Sequence, residues 1–138
     1  MDDVWAGTRI LVVEDEPIIA LEIEHVLTDL GAAVVGPAHT LAQAQALVDT
    51  DDLSAAILDI RLGETEAWTV AEALHARSVP LLFHTGNSEA DRLKATFTDC
   101  VVIAKPASIE ALTAALATRL RVEDTRAVQA NSSPAAAG

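Results

Sequence analysis

Asp59 closes the apolar run Ala55-Ala56-Ile57-Leu58. Central strands of a parallel sheet are covered on both faces and so read as unbroken apolar runs, and ligands bind just beyond their ends. Other polar residues follow apolar runs in the same manner: Glu14 and Asp15 after Arg9 to Val13, Thr85 after Pro80 to His84, and Lys105 after Cys100 to Ala104. If these runs are parallel strands, their ends share one rim and three carboxylates converge there. Carboxylates so placed repel one another unless a cation lies between them. An all-oxygen donor set with few protein ligands is what magnesium accepts while keeping several waters. With the cation in place, Asp59 is an ionised nucleophile toward a phosphoryl group, and Thr85 and Lys105 contact oxygens of the product. Neither a His/Cys/Asp triad nor a glycine-rich phosphate loop offers a competing chemistry.

The elements that must hold these residues are legible from the hydrophobic pattern. Arg9 to Val13 reads as a first strand after an unstructured acidic start. Pro17 then opens a helix whose apolar positions Ile19, Ile23, Val26, Leu27 and Leu30 recur at helical spacing up to a terminating Gly31. A short strand, Ala33 to Val35, passes through Gly36-Pro37 to a capping pattern, Thr40 with Gln43, and a helix to about Val48. Asp49 to Asp52 read as a solvated acidic loop. The Asp59 strand is third, followed by a loop over 61–65 and an alanine-rich helix from about Ala67 to Arg77. The fourth strand leads to a helix capped by Ser88 with Asp91 and ending near Phe97. A fifth strand, Cys100 to Ala104, precedes Lys105-Pro106 and a last helix over about Ile109 to Arg121. Five strand-helix units predict an α/β fold: a doubly wound, five-stranded parallel sheet of flavodoxin-like order 2-1-3-4-5, with helices on both faces.

Composition narrows the class. The 138 residues suit one domain, expected over 8–121, with an N-terminal extension over 1–7 and a C-terminal tail over 122–138 whose end, from Ala127, is small, polar and aperiodic. The formal charge of −12 repels a phosphate backbone, so nucleic acid is not an expected partner. The apolar runs fall short of a membrane span and the start is acidic where a signal peptide is basic, so the expected location is cytoplasmic. Cys100 is the single cysteine; it can form no internal disulfide and reads as core.

Val12-Val13-Glu14-Asp15-Glu16-Pro17, Leu58-Asp59-Ile60-Arg61-Leu62, His84-Thr85-Gly86 and Lys105-Pro106, in this order and spacing over about residues 8 to 121, resemble the receiver domains of two-component response regulators. The resemblance implies that Asp59 takes a phosphoryl group from a sensor histidine kinase. It implies that Asp15 binds magnesium directly and Glu14 through water, joined by the Asp59 carboxylate and the Arg61 backbone carbonyl. Thr85 and Lys105 then sense the phosphate, and the Lys105-Pro106 bond is often cis in the family. The Glu14-Asp15 pair, Gly63 and Phe83-His84-Thr85-Gly86 are most similar to stand-alone receivers that serve kinases of the HWE type. One departure stands out: Val102 occupies the position where the family usually carries an aromatic rotamer switch. Arg61 and Asn87, two residues beyond Asp59 and Thr85, lie where the family tunes the lifetime of the phosphoryl group; Arg61 can reach anionic oxygens or a neighbouring acid.

The remaining candidates read as structural. His25, His39 and His75 have no metal spacing and are expected at the surface or half-buried; His84, next to Thr85, is expected to pack beside the strand end, with lining the site as the alternative, and Trp5 and Trp68 to pack as well. The competing functions are a magnesium-dependent phosphatase or phosphotransferase with an Asp nucleophile, for which no second general acid or cap is visible, and a docking module that never uses a phosphate. A symmetric homodimer, with residues beyond Arg121 lying on the partner, is a further expectation.

Overall fold

The apolar runs pair as expected in the computed structural model, which describes residues 3–131. In chain order the elements are β1 (Arg9–Val13), α1 (Pro17–Leu30), β2 (Ala33–Ala38), α2 (Leu41–Leu47), β3 (Ala55–Leu58), β4 (Arg61–Leu62), β5 (Thr65–Glu66), α3 (Trp68–Ala76), β6 (Leu81–Thr85), α4 (Asn87–Thr96), β7 (Val101–Ala104) and α5 (Ile109–Asn131). The main sheet is parallel throughout, in the order β2-β1-β3-β6-β7. This is the expected 2-1-3-4-5 order, with β6 and β7 as the fourth and fifth strands of the sheet. Every residue of β3 and β6 is buried, as befits strands covered on both faces.

Strand alternation divides the core in two. Leu11, Val13, Ala56, Leu58, Leu81 and Phe83 face one layer with α3, Leu93 of α4 and Phe97 just after it. Ile10, Val12, Ala55, Ile57 and Leu82 face the other, against Ile23 and Leu27 of α1 and Leu112 and Leu116 of α5. Local signals end the helices as read: Pro17 starts α1, Gly31 closes it in the left-handed region (φ 107°), and the Thr40 side chain accepts from the Gln43 amide at the start of α2.

Five local expectations are corrected. The acidic start is not unstructured from its fourth residue on, because Val4 and Trp5 are buried in the α1/α5 layer together with Leu120. β2 runs on through Gly36 and Pro37 to Ala38; as an edge strand it tolerates proline, and the Gly36-Pro37 bond is cis. The segment 61–65 is not a plain loop, since β4 and β5 pair antiparallel about Gly63 (φ 64°). α4 begins at Asn87 on an extended Gly86 with no side-chain cap, so Ser88 with Asp91 does not cap it. Finally, α5 continues ten residues past Arg121, to Asn131, where the sequence expectation placed the start of a tail; Arg119 and Arg126 both pair with Glu123 along it. The expected tail character of 132–138 lies outside the described residues.

Candidate functional site

β1 and β3 are hydrogen-bonded neighbours with Val13 opposite Leu58, so the residues after them emerge side by side. Glu14 and Asp59 are thereby brought together below the surface, 2% and 5% exposed, with Asp15 half-buried beside them. One ligand oxygen from each of Glu14, Asp15 and Asp59 lies within 4.8 Å of the others, a spacing that can hold a metal ion. The Asp59 amide donates to the Val13 carbonyl (2.9 Å), which extends the sheet to Asp59 itself and fixes its backbone.

β7 supplies the cation. Lys105 Nζ donates to Asp59 Oδ2 at 2.6 Å and reaches Glu14 Oε2 at 3.4 Å. Burial alone lowers the pKa of this ammonium, but the hydrogen bond and charge of Asp59, with Glu14 adding to them, raise it above its ordinary value. The Lys105-Pro106 bond is cis. Glu14 moves in an unfavourable direction. Burial pushes its carboxyl up to about 7 and the Asp59 charge pushes the same way, while the Glu16 amide and Lys105 oppose them. A carboxylate held this high binds a proton readily, and a divalent cation in the same pocket would displace that proton.

The loops fill in the rim. The Arg61 amide donates to Asp59 Oδ1 (3.1 Å) and the Gly63 amide to Asp15 Oδ2 (2.9 Å), so the β4-β5 hairpin holds two of the three acids by backbone donors. The Arg61 side chain turns to neighbouring acids, Glu66 at 3.3 Å and Glu89 of α4 at 3.8 Å. Thr85 ends β6 opposite Ala104 and is 1% exposed; its Oγ1 has no hydrogen-bond partner among the described residues. The side chain of Asn87 is not described.

The family described as the response regulator receiver domain matches residues 10–117. The chain belongs to that family. Among solved structures it is similar to SdrG from Sphingomonas melonis Fr1, with 42% identity, a TM-score of 0.67 and coverage of 85% of this chain and 97% of that one. It is also similar to the response regulator PhyR from Brucella abortus, with 28% identity, a TM-score of 0.73 and coverage of 93% of this chain and 54% of that one. Among curated proteins, the phyllosphere-induced regulator PhyR of Methylorubrum extorquens is 35% identical over 86 residues, covering 60% of this chain and 32% of its own. The receiver thus spans about a third of the length of the curated relatives it matches.

Sequence reasoning named the five residues that the fold assembles around Asp59: Glu14, Asp15, Arg61, Thr85 and Lys105. Two histidines also lie at this receiver's pocket: His39, read only as a surface or half-buried residue, and His84, read as packing with site lining as the alternative. His39 Nδ1 donates to the Glu14 carbonyl oxygen (3.0 Å), tying the β2-α2 connection to the acidic turn. His84 packs beside the strand end as read, 3% exposed, and with Nδ1 3.9 Å from Glu14 Oε1 it also lines the pocket, the alternative reading. Strand alternation held the signal for His84, since it lies two residues beyond Leu82 and so faces the same layer. Trp68 packs as read, stacked on Phe97 with ring centroids 6.0 Å apart and with Arg92 over its ring, 4.2 Å from the centroid. Cys100 is half-buried against the α3/α4 layer, just before β7.

Proposed function

We propose that Asp59 accepts a phosphoryl group from a histidine kinase and that the receiver then signals through contacts with another protein. The observation that carries this reading is the Lys105–Asp59 pair, 2.6 Å long, set inside the three-carboxylate cluster at the ends of β1 and β3. Asp59 is the acceptor because its Oδ1 is oriented by the Arg61 amide, leaving Oδ2 for attack once Lys105 shifts to a phosphoryl oxygen. The new O–P bond forms as the bond from phosphorus to the donor breaks, and the donor group leaves with the electron pair.

The donor set fits magnesium: hard oxygens alone, one of them on a carboxylate that burial has left ready to exchange a proton for a cation. Glu14, Asp15 and Asp59, with the Arg61 carbonyl, would hold it. Bound there, it supplies positive charge to the oxygens of the transferring group. The unpartnered Oγ1 of Thr85 supports a role as the donor to one product oxygen, and Lys105 as the donor to another. The Phe83-His84-Thr85-Gly86 strand end and Gly63 support a kinase of the HWE type, and the match to SdrG over 97% of that chain supports a receiver that works without an attached output domain. A cytoplasmic location agrees with a kinase partner; among the described residues no helix is long and apolar enough to cross a membrane. For the homodimer, the support is the continuation of α5 beyond Arg121 with Val122 exposed; a monomer by sedimentation both with and without residues 122–138 rejects that part.

The test is labelling by acetyl phosphate, followed by mass spectrometry, with and without magnesium. One phosphoryl group on Asp59, dependent on magnesium and absent from Asp59→Asn, is the expected result. Equal labelling of the mutant overturns the assignment.

A further inference from the structure

We infer that His84 is a positioning residue for Glu14, and that it thereby sets the magnesium affinity of the pocket. The inference rests on the magnesium reading given above and extends it to a residue outside the ligand set. Both ring nitrogens of His84 are buried without a hydrogen-bond partner among the described residues. Burying polar atoms unpaired is costly, and a folded protein that keeps such a group generally has a use for it. Leucine or valine would fill the same space in β6 without that cost, as Leu82 does one step earlier on the same face.

The geometry names the use. The two oxygens of Glu14 have different neighbours. Oε2 accepts from the Glu16 amide at 3.2 Å and faces Lys105 at 3.4 Å, whereas Oε1 is the oxygen turned toward His84 Nδ1, 3.9 Å away. A movement of about 1 Å brings this pair to hydrogen-bond length. A neutral imidazole carries one N–H, and with that hydrogen on Nδ1 it donates to a carboxylate without adding charge.

The two donors on Glu14 therefore differ in what happens after phosphorylation. Lys105 also pairs with Asp59, and when it follows the phosphoryl oxygens it takes its charge away from Glu14. His84 stays, because its backbone is locked between β3 and β7 by β6 pairing on both sides. A neutral donor that remains on the metal-facing carboxylate keeps its orientation through the cycle. Donors of this kind behind a metal-binding carboxylate are commonly worth 10–100-fold in metal affinity.

The test is calorimetric titration of magnesium chloride into the unphosphorylated full-length protein, comparing wild type with His84→Asn, His84→Leu and His84→Met. The Asn amide nitrogen occupies nearly the place of Nδ1, so His84→Asn should bind within about threefold of wild type, while the two apolar variants should bind roughly 10–100-fold more weakly. Two apolar variants guard against one failing to fold, and circular dichroism identifies any that does. Wild-type affinity in a folded apolar variant overturns the inference; so does equal weakening in all three, which would mark His84 as a shape filler. No magnesium binding by the wild type would strike the metal reading itself, and this role with it. Acetyl phosphate labelling of Asp59 in the same variants separates the two readings, since a failure confined to His84 leaves magnesium-dependent labelling intact.

Discussion

Lys105 Nζ lies 2.6 Å from Asp59 Oδ2 across the gap between β3 and β7, although β6 separates those two strands in the sheet. Thr85 ends the intervening strand, so Asp59, Thr85 and Lys105 follow the ends of three adjacent strands. On the proposed function, a mobile ammonium there would serve the resting carboxylate first and a phosphoryl oxygen afterwards. Lys105→Ala should leave labelling of Asp59 measurable and weaken the phosphorylation-dependent gain in affinity for a partner protein. Normal gain in the mutant, measured by calorimetry with phosphorylated and unphosphorylated protein, rejects this role.

The raised pKa of Glu14 makes stability depend on pH with a definite sign. Unfolded, the carboxyl titrates near 4.5; folded, it holds its proton up to about 7. Between those values the folded state binds more protons, so stability without magnesium falls as pH rises through the window. His84, whose pKa is lowered by burial, works against this just below 6.5, where stability is lost as pH falls. Magnesium binding should release a proton below pH 7, and thermal stabilisation by magnesium should be larger at pH 8 than at pH 5.5. Glu14→Gln should flatten both trends in thermal unfolding scans; an unchanged slope counts against burial of Glu14 as their source.

Gly36 offers a test of the fold independent of the site. Its φ is 94°, and a Cβ there would meet the Ala38 nitrogen at 2.8 Å and the Val12 oxygen at 3.1 Å. Gly63 has a similar φ of 64° but open space around it. Gly36→Ala should therefore cost clearly more than the ~1 kcal/mol expected of Gly63→Ala from backbone conformation alone. Chemical denaturation of both variants measures the difference; equal losses would mean the β2 edge relaxes freely.

The sheet order and the acidic cluster were legible because they depend on period and sequence order. Apolar runs of four or five residues with a polar residue after each, separated by helical patterns, leave few arrangements once crossovers are right-handed. Contacts made across the fold were not legible. Nothing local to Val4 and Trp5 says that Leu120 and Gly31 will cover them, and the hairpin at 61–66 is held by Asp15, which lies 48 residues away from Gly63. α5 was read short because its apolar stripe fades after Leu120; from Arg121 to Arg126 its continuation is mostly exposed, with Arg119 and Arg126 pairing with Glu123, a pattern of charges three and four apart. For His84 the sequence left packing and site-lining both open, because the two look alike when a strand is buried on both faces.

If Asp59 is phosphorylated as proposed, the readout is expected to bypass Val102. This residue pairs with Phe83 on β7 and packs half-buried against the α3/α4 layer, and its branched Cβ leaves one strongly preferred rotamer. A swinging aromatic ring is excluded there. Thr85 is better placed, because its Oγ1 is buried without a partner among the described residues and the proposed phosphoryl group would offer it one. It directly precedes Gly86 and the uncapped start of α4, whose Glu89 faces Arg61 and whose Arg92 lies over Trp68. If Asp59 is phosphorylated as proposed, the population shift is expected to come from differential contacts at Thr85 and Lys105 acting on α4. Val102→Ala should lower stability by roughly 1–3 kcal/mol through lost methyl packing and leave the phosphorylation-dependent gain in partner affinity largely intact. Thr85→Ala should cost little stability and remove most of that gain. Measuring affinities of phosphorylated and unphosphorylated forms of both variants decides it: coupling lost in Val102→Ala but kept in Thr85→Ala would reverse the roles assigned to the two residues.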